Sequence, residues 1–77
     1  MIEEEDIRFL VARIEHHFPR CDFSMELEDD ILMVRIYSTM DTSEFRKKRN
    51  LVYREVSRAK TDLYLALSIF QRRRKEA

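Results

Sequence analysis

The chain has 77 residues, equal numbers of basic and acidic side chains, one cysteine and no glycine. A chain of this length forms one domain at most, and a single cysteine excludes an internal disulfide framework. The lack of glycine excludes nucleotide-binding phosphate loops and the glycine clamp of KH domains, because such loops need a residue without a Cβ. No apolar run reaches the ~18 residues of a membrane span, so we expect a cytoplasmic protein without a membrane partner.

Charge is distributed unevenly along the chain. Residues 1–40 carry 4 basic and 10 acidic side chains, whereas residues 41–77 carry 11 basic and 5 acidic ones. Such asymmetry can mark a basic segment that binds polyanions. A net-neutral chain attracts polyanions weakly at long range, however. The alternative is that the two halves face each other within the fold or in a dimer.

Residues 3–18 have the pattern of an amphipathic helix. Apolar residues recur at the i, i+3, i+4, i+7 spacing of one helix face, namely Ile7, Leu10, Val11, Ile14 and Phe18. Acidic residues occupy the first turn, where they suit the positive end of the helix dipole. Pro19 ends the helix, because the residue before a proline resists helical geometry.

Residues 21–28 and 31–38 alternate apolar and polar side chains, which predicts a β-hairpin. With Asp29-Asp30 as a two-residue turn, three pairs of core-side residues face each other: Phe23 with Ile36, Met25 with Val34, and Leu27 with Leu32. A shift of one residue would destroy all three pairs. Asp-Asp is a poorer turn sequence than Asn-Gly, so a longer loop is the alternative.

Residues 42–60 predict a second helix, with Asp41 and Glu44 in the positions of a capping box. Its apolar face consists of Phe45, Val52, Val56 and Ala59, and its opposite face of Lys47, Arg54 and Arg58. Lys48 and Arg49 border the apolar face. Their alkyl chains can cover core residues there while their charges stay in water.

The segment 62–70 is ambiguous. Its leucine and alanine content favours a helix, but four apolar residues alternate strictly with their neighbours: Leu63, Leu65, Leu67 and Ile69. A helix would put Leu65 and Ile69 off its apolar face, so the alternation favours a strand. Residues 71–77 then form a basic tail.

These elements predict an α+β fold in the order α-β-β-α-β. The second helix crosses over, so that the last strand lies parallel to the second one in a three-stranded mixed sheet with both helices on one face. The other sheet face would expose an unusually apolar set of side chains: Ile31, Met33, Tyr37, Tyr64 and Phe70. We interpret this face as a partner-binding surface and expect a homodimer.

The stretch HHFPRC contains residue types found in metal and catalytic sites: His16, His17 and Cys21. Adjacent histidines on a helix diverge by about 100°, and the sequence offers no second pair of ligands. Cys21 falls on the apolar side of its strand, where a buried thiol stays protonated and inert. The acidic residues of segment 26–30 are typical of a solvated turn. We therefore expect no metal, no cofactor and no catalysis. A metal-linked redox role would require His16, His17 or Cys21 as a metal ligand.

A further set of candidate residues is basic. The outer face of the second helix and the tail together offer six cations that could contact phosphates: Lys47, Arg54, Arg58, Arg72, Arg73 and Arg74. This set defines an alternative function, a nucleic-acid-binding regulator. Such a protein would bind less tightly as salt increases.

The run VRIYSTMDTSEFRKKRNLVYREV, followed by LYLALSIF, resembles the second strand, long helix and last strand of BolA-like proteins over about residues 34–70. In that family an Arg-x-x-hydrophobic-Tyr run precedes a Leu-Ala-Leu strand, and Arg49, Val52, Tyr53 and residues 65–67 occupy those places here. The resemblance implies a KH-like α/β fold, with monothiol glutaredoxin partners around iron–sulfur clusters or a role in transcription. Leu63 stands where the family has its ligating histidine. The run ARIEHHFP is similar to the helix-to-strand junction of DinI-like regulators, which also have an N-terminal strand that MIEEED does not supply.

Taken together, these patterns predict a small non-enzymatic module for protein–protein interaction or regulation. It would act through the apolar sheet face or through an exposed strand edge.

Overall fold

The computed structural model describes residues 2–73. In chain order its elements are α1 (Glu4–His17), β1 (Asp22–Glu28), β2 (Ile31–Tyr37), α2 (Thr42–Ala59), α3 (Thr61–Ala66) and β3 (Leu67–Arg72). The strands form one sheet in the order β1-β2-β3, antiparallel between β1 and β2 and parallel between β2 and β3. The predicted small α+β fold, with a three-stranded mixed sheet and its helices on one face, is confirmed.

The first helix matches its prediction to within one residue at each end. The Asp6 carboxylate accepts a hydrogen bond from the Glu3 backbone N–H at 2.9 Å, which caps the start of α1. Leu10 and Ile14 are buried against the sheet and α2. The helix ends before Pro19, as expected.

The hairpin has the predicted register. All three core-side pairs are present: Phe23 with Ile36, Met25 with Val34, and Leu27 with Leu32. Asp29 and Asp30 have positive φ angles of 51° and 63°, as the two central residues of a type I′ turn do. Aspartate is one of the few residues besides glycine that visits this region routinely. The turn is therefore the two-residue one, and the longer loop is excluded.

The second helix begins at the predicted cap. The Asp41 carboxylate accepts a hydrogen bond from the Glu44 backbone N–H at 2.9 Å, which satisfies one of the free donors of the first turn. Its buried face consists of Phe45, Val52 and Val56, as the spacing predicts. These residues join α1 and the inner side chains of β2 and β3 in one hydrophobic core.

The predicted strand over 62–70 is wrong in its first half. Residues 61–66 form the short helix α3, and the strand begins only at Leu67. Leu67 pairs with Leu32, the second residue of β2. A strand that began at residue 62 would extend past the start of β2, where only the hairpin turn precedes it, and its backbone groups would lack partners. A helix satisfies those groups internally.

This difference also changes the predicted sheet face and the tail. Tyr64 belongs to α3 and packs edge-to-face on Tyr53 of α2, with ring centroids 6.0 Å apart, so it does not lie on the sheet face that was predicted to bind a partner. Conversely, Gln71 and Arg72 belong to β3 rather than to a tail. Arg73 follows the strand, and residues 74–77 of the predicted tail, including Arg74, lie outside the described residues.

Candidate interaction surfaces

We call the sheet face opposite the helices the open face. Its side chains lie in four rows across the strands: Glu28 and Ile31; Glu26, Met33 and Ser68; Ser24, Arg35 and Phe70; Asp22, Tyr37 and Arg72. Each strand therefore contributes a column of distinct character. The β1 column is acidic, the β2 column is apolar apart from one arginine, and the β3 column ends in an arginine.

Four of the five residues predicted for a partner-binding face are brought together on the open face. Ile31 and Phe70 are 48% and 44% exposed, and Met33 and Tyr37 are half-buried. Tyr64 is the exception, because it lies in α3. Arg72 is an addition that the sequence prediction missed, because the strand was expected to end at residue 70. Gln71 and Arg72 are both polar, so the alternation of apolar and polar residues stops at residue 70 and no local signal indicated the longer strand.

Arg35 lies in the middle of the open face. Its guanidinium is 3.6 Å from the Glu26 carboxylate, the diagonal cross-strand contact that the hairpin register predicts. Beside it lies a shallow depression of about 340 Å³, lined by Met33, Arg35, Phe70, Gln71 and Arg72. An apolar side chain of a partner could enter this depression, where Arg35 and Arg72 would lie beside it.

The basic residues of α2 and of the end of β3 fall into two groups, cations that contact other side chains and cations that are exposed on the surface. Lys48 lies 3.8 Å from Glu44, and the Arg49 guanidinium lies over the Tyr53 ring at 5.9 Å, so both are engaged by contacts within α2. The exposed cations of the predicted set that the structure describes are Lys47, Arg54, Arg58, Arg72 and Arg73. Within residues 2–73 none of these five forms an ion pair.

Glu55 joins α2 to α1 through two contacts. Its carboxylate oxygens lie 3.1 Å from Arg13 Nη1 and 2.7 Å from His17 Nε2. Burial raises the pKa of the Glu55 carboxyl, but the hydrogen bonds from His17 and Arg13 outweigh it and hold the pKa below its ordinary value of 4.5. His17 is therefore occupied by a contact between helices. Among residues 2–73, no group of three histidine, cysteine or acidic residues is arranged to hold a metal ion.

A second ion pair ties the start of α1 to the junction of α2 and α3. Lys60 Nζ lies 2.9 Å from Asp6 Oδ1. The hydrogen bond from the Glu3 N–H and the one from Lys60 lower the pKa of the Asp6 carboxyl. The same Asp6 carboxylate raises the pKa of Lys60. This pair fixes the chain where it turns into α3, so its residues act in the fold.

A second apolar area lies at the hairpin-tip end, on the helix side of the sheet. Leu27 is 62% exposed and Leu65 is 74% exposed. A cavity of about 360 Å³ beside Leu27 is lined by Ile2, Asp30, Asp62 and Ala66 as well. The sequence prediction missed this area, because it placed Leu27 and Leu65 on the core side of complete strands.

Comparison with protein-family models, with curated proteins and with solved structures gives no match. The resemblance to BolA-like and DinI-like proteins therefore stays a prediction from the sequence. No helix among residues 2–73 is long and apolar enough to cross a membrane.

Proposed function

We propose that this chain is a non-enzymatic protein–protein interaction module of regulatory type, and that its open face binds a second copy of the chain. The observation that carries the proposal is the exposure of Ile31 and Phe70, 48% and 44%, on a sheet face without a covering helix among residues 2–73. Exposed apolar groups on one flat surface mark interaction sites more often than isolated ones do. We further propose a cytoplasmic location, with which a single cysteine is compatible.

The charges of the open face support a second copy as the occupant. A two-fold axis that runs along β2, between two facing sheets, sets β1 of each copy over β3 of the other. The Asp22 end of the β1 column then lies over the Arg72 end of β3, and Glu26 lies over Ser68 rather than over another acid. The apolar residues of β2 meet their own equivalents in the centre. Arg35 also lies near this axis, where Glu26 of its own chain balances its charge.

The other way of stacking the two faces is unfavourable. A two-fold axis perpendicular to the strands would set β1 against β1, so that Glu26 and Glu28 would face the acids of the second copy. Like charges placed opposite each other at an interface suppress that arrangement. The charge pattern therefore selects one orientation of the dimer.

The size of the open face limits the strength of this dimer. Three strands of six or seven residues cover roughly 14 Å by 20 Å, from a strand spacing of ~4.8 Å and a rise of ~3.3 Å per residue. A standard interface buries about 800 Å² on each partner. We therefore expect association that depends on concentration, in the micromolar range or weaker.

Sedimentation equilibrium of the purified chain from micromolar to millimolar concentration tests this function. We expect the wild type to dimerise and Phe70→Asp to stay monomeric. Leu51→Asp is the matched control, because Leu51 is 38% exposed on α2 and away from the open face. A wild type that stays monomeric throughout, or a Phe70→Asp variant that dimerises like Leu51→Asp, contradicts the proposal.

Nucleic-acid binding is the second candidate function. It is favoured by the outer face of α2, where Lys47, Arg54 and Arg58 are exposed and have no ion-pair partner among residues 2–73. Arg72 and Arg73 add charge at the end of β3, and Arg74 follows them in sequence. Cations left without acids are available to phosphates.

Titration of a labelled single-stranded oligonucleotide at several salt concentrations tests this second function. Binding through three to five phosphates lowers log K with log salt by a slope of about 2 to 3.5, from ~0.7 per phosphate on a single strand. Reversing the charges of Arg54 and Arg58 to glutamate should abolish the binding. Reversing Arg8, which Glu4 already pairs at 2.7 Å on α1, should leave most of it. The absence of binding at low salt contradicts this function.

A further inference from the structure

The two outer edges of the sheet differ in how many of their backbone groups are free. Ser38 donates its N–H to the Arg72 carbonyl, so the even-numbered residues of β3 face β2 and the odd-numbered ones face outward. Two of the outward N–H groups already have acceptors. The Leu67 N–H is bonded to the Tyr64 carbonyl, and the Ile69 N–H is bonded to the Tyr53 hydroxyl at 2.9 Å. The β3 edge is therefore largely closed to another strand.

The edge of β1 is open. In a hairpin with a two-residue turn, the residues next to the turn exchange both backbone hydrogen bonds, and the pairs alternate from there. Glu28 and Ile31 are those residues. The backbone groups of Phe23, Met25 and Leu27 consequently point away from β2. No described helix, loop or strand supplies a partner for them.

The side chains along β1 give this edge two different flanks. On the open face they are Asp22, Ser24, Glu26 and Glu28, of which three are acidic. On the helix side Phe23 and Met25 are only half-buried against the core, and Leu27 is 62% exposed. A strand added here would place one set of its side chains beside acids and the other set over apolar surface.

A second copy of β1 does not fit this edge. Antiparallel pairing centred on Met25 would place Asp22 opposite Glu28 and Ser24 opposite Glu26. A shift by two residues toward the turn would place Glu26 opposite itself. Like charges directly opposite each other destabilise a strand pair, and acidic edges are one device by which proteins prevent self-pairing. The occupant must carry the opposite charge.

We propose that the β1 edge binds an extended segment of a partner protein in which basic residues alternate with apolar ones. The basic side chains lie beside Glu28 and Glu26 on the open face, and the apolar side chains cover Phe23, Met25 and Leu27. The backbone of the segment takes the free N–H and carbonyl groups and adds a fourth strand to the sheet. This inference rests on the proposed role in protein binding but not on the dimer.

A synthetic peptide of nine residues, alternating lysine and valine and capped at both ends, tests this site by fluorescence anisotropy. We expect it to bind, and the peptide with glutamate in place of lysine to remain unbound. Absent binding of the lysine peptide, or equal binding of both peptides, overturns the proposal.

Two methylated versions of the peptide test the backbone bonds without altering the protein. One carries N-methyl groups on the valines and the other on the lysines. Only one of these sets of N–H groups can face β1, so we expect one peptide to bind about tenfold more weakly, or worse, and the other to keep its affinity. Equal affinity of the two peptides, whether retained or lost, contradicts strand addition.

A matched pair of protein variants tests the charge. Glu28→Lys reverses an acid of the edge, whereas Glu15→Lys makes the same change on the exposed side of α1. We expect severalfold weaker peptide binding for Glu28→Lys only. Equal weakening in both variants would show that the effect is one of net charge, and would overturn the site.

Dimerisation is measured separately, by sedimentation equilibrium. A chain that dimerises without binding peptide refutes this inference alone, and a monomer that binds peptide refutes the dimer alone.

Discussion

The two faces of the sheet differ most clearly along β2. Leu32, Val34 and Ile36 point to the helices and are 0–3% exposed, whereas Ile31 on the other face is 48% exposed. All four residues are apolar, but only the three inner ones pack against the helices. Folding therefore accounts for the apolar residues of one face only, and the open face needs another explanation, which association would provide.

The largest expected difference between the faces comes from one residue type in two positions. Ile36→Ala should lower the free energy of unfolding by about 4 kcal/mol, because it removes buried methylene and methyl groups and leaves a cavity. Ile31→Ala should lower it by less than about 1 kcal/mol in the monomer, because half of that side chain is already in water. Urea denaturation at low protein concentration measures both values.

Equal losses for the two isoleucines would break the contrast between the faces. If Ile36→Ala does not fold, Ile36→Val and Ile31→Val keep the comparison, with about 1 kcal/mol expected for the first and almost nothing for the second.

A second pair of variants extends the comparison to α3. Leu63 is 1% exposed and Leu65 is 74% exposed, although a strand would direct both to the same face. Leu63→Ala should destabilise by about 3 kcal/mol, and Leu65→Ala by no more than about 0.5 kcal/mol, as surface substitutions usually do. Similar losses at both positions would indicate the strand that the alternation suggests, and would contradict the helix.

The hairpin could be predicted from the sequence because its signals agree with one another. The alternation of side chains, the two aspartates and the core-side pairs all require the same register, and one shift would spoil them together. The helices α1 and α2 could be predicted equally well, because their caps and the spacing of their apolar residues are local features of each segment.

The segment 61–66 could not be predicted in the same way, because its alternation favours a strand by itself. What decides its structure is the position of Leu32, which fixes where β3 can begin. The composition of the open face followed from the register of β2, but the loss of Tyr64 followed from the true start of β3, and the gain of Arg72 from its true end. Contacts such as Tyr53 with Ile69 join residues far apart in sequence, and no local pattern indicates them.

The next expected effect concerns the closed edge of the sheet. Tyr53→Phe removes the hydroxyl that accepts the Ile69 N–H, and should destabilise the protein by about 1 kcal/mol. Tyr37→Phe on the open face is the matched control, because the Tyr37 hydroxyl has no hydrogen-bond partner among residues 2–73. Hydrogen exchange should quicken at Ile69 in the first variant only. Unchanged exchange there would mean that the β3 edge is not held by Tyr53.

The smallest expected effect is the pH dependence of the contact between α1 and α2 on the covered side. The pKa of Glu55 is below its ordinary value of 4.5 in the folded chain, so its carboxylate stabilises the fold above that pH and loses this effect as the pH falls through the folded-state pKa. Glu55→Gln should therefore cost up to about 1 kcal/mol near pH 7, a value limited by the partial exposure of the pair. The difference from the wild type should vanish in acid. Glu15→Gln is the matched control, because Glu15 is exposed on α1 and forms no ion pair among residues 2–73. A Glu55→Gln deficit that persists unchanged into acid would assign the loss to packing rather than to charge.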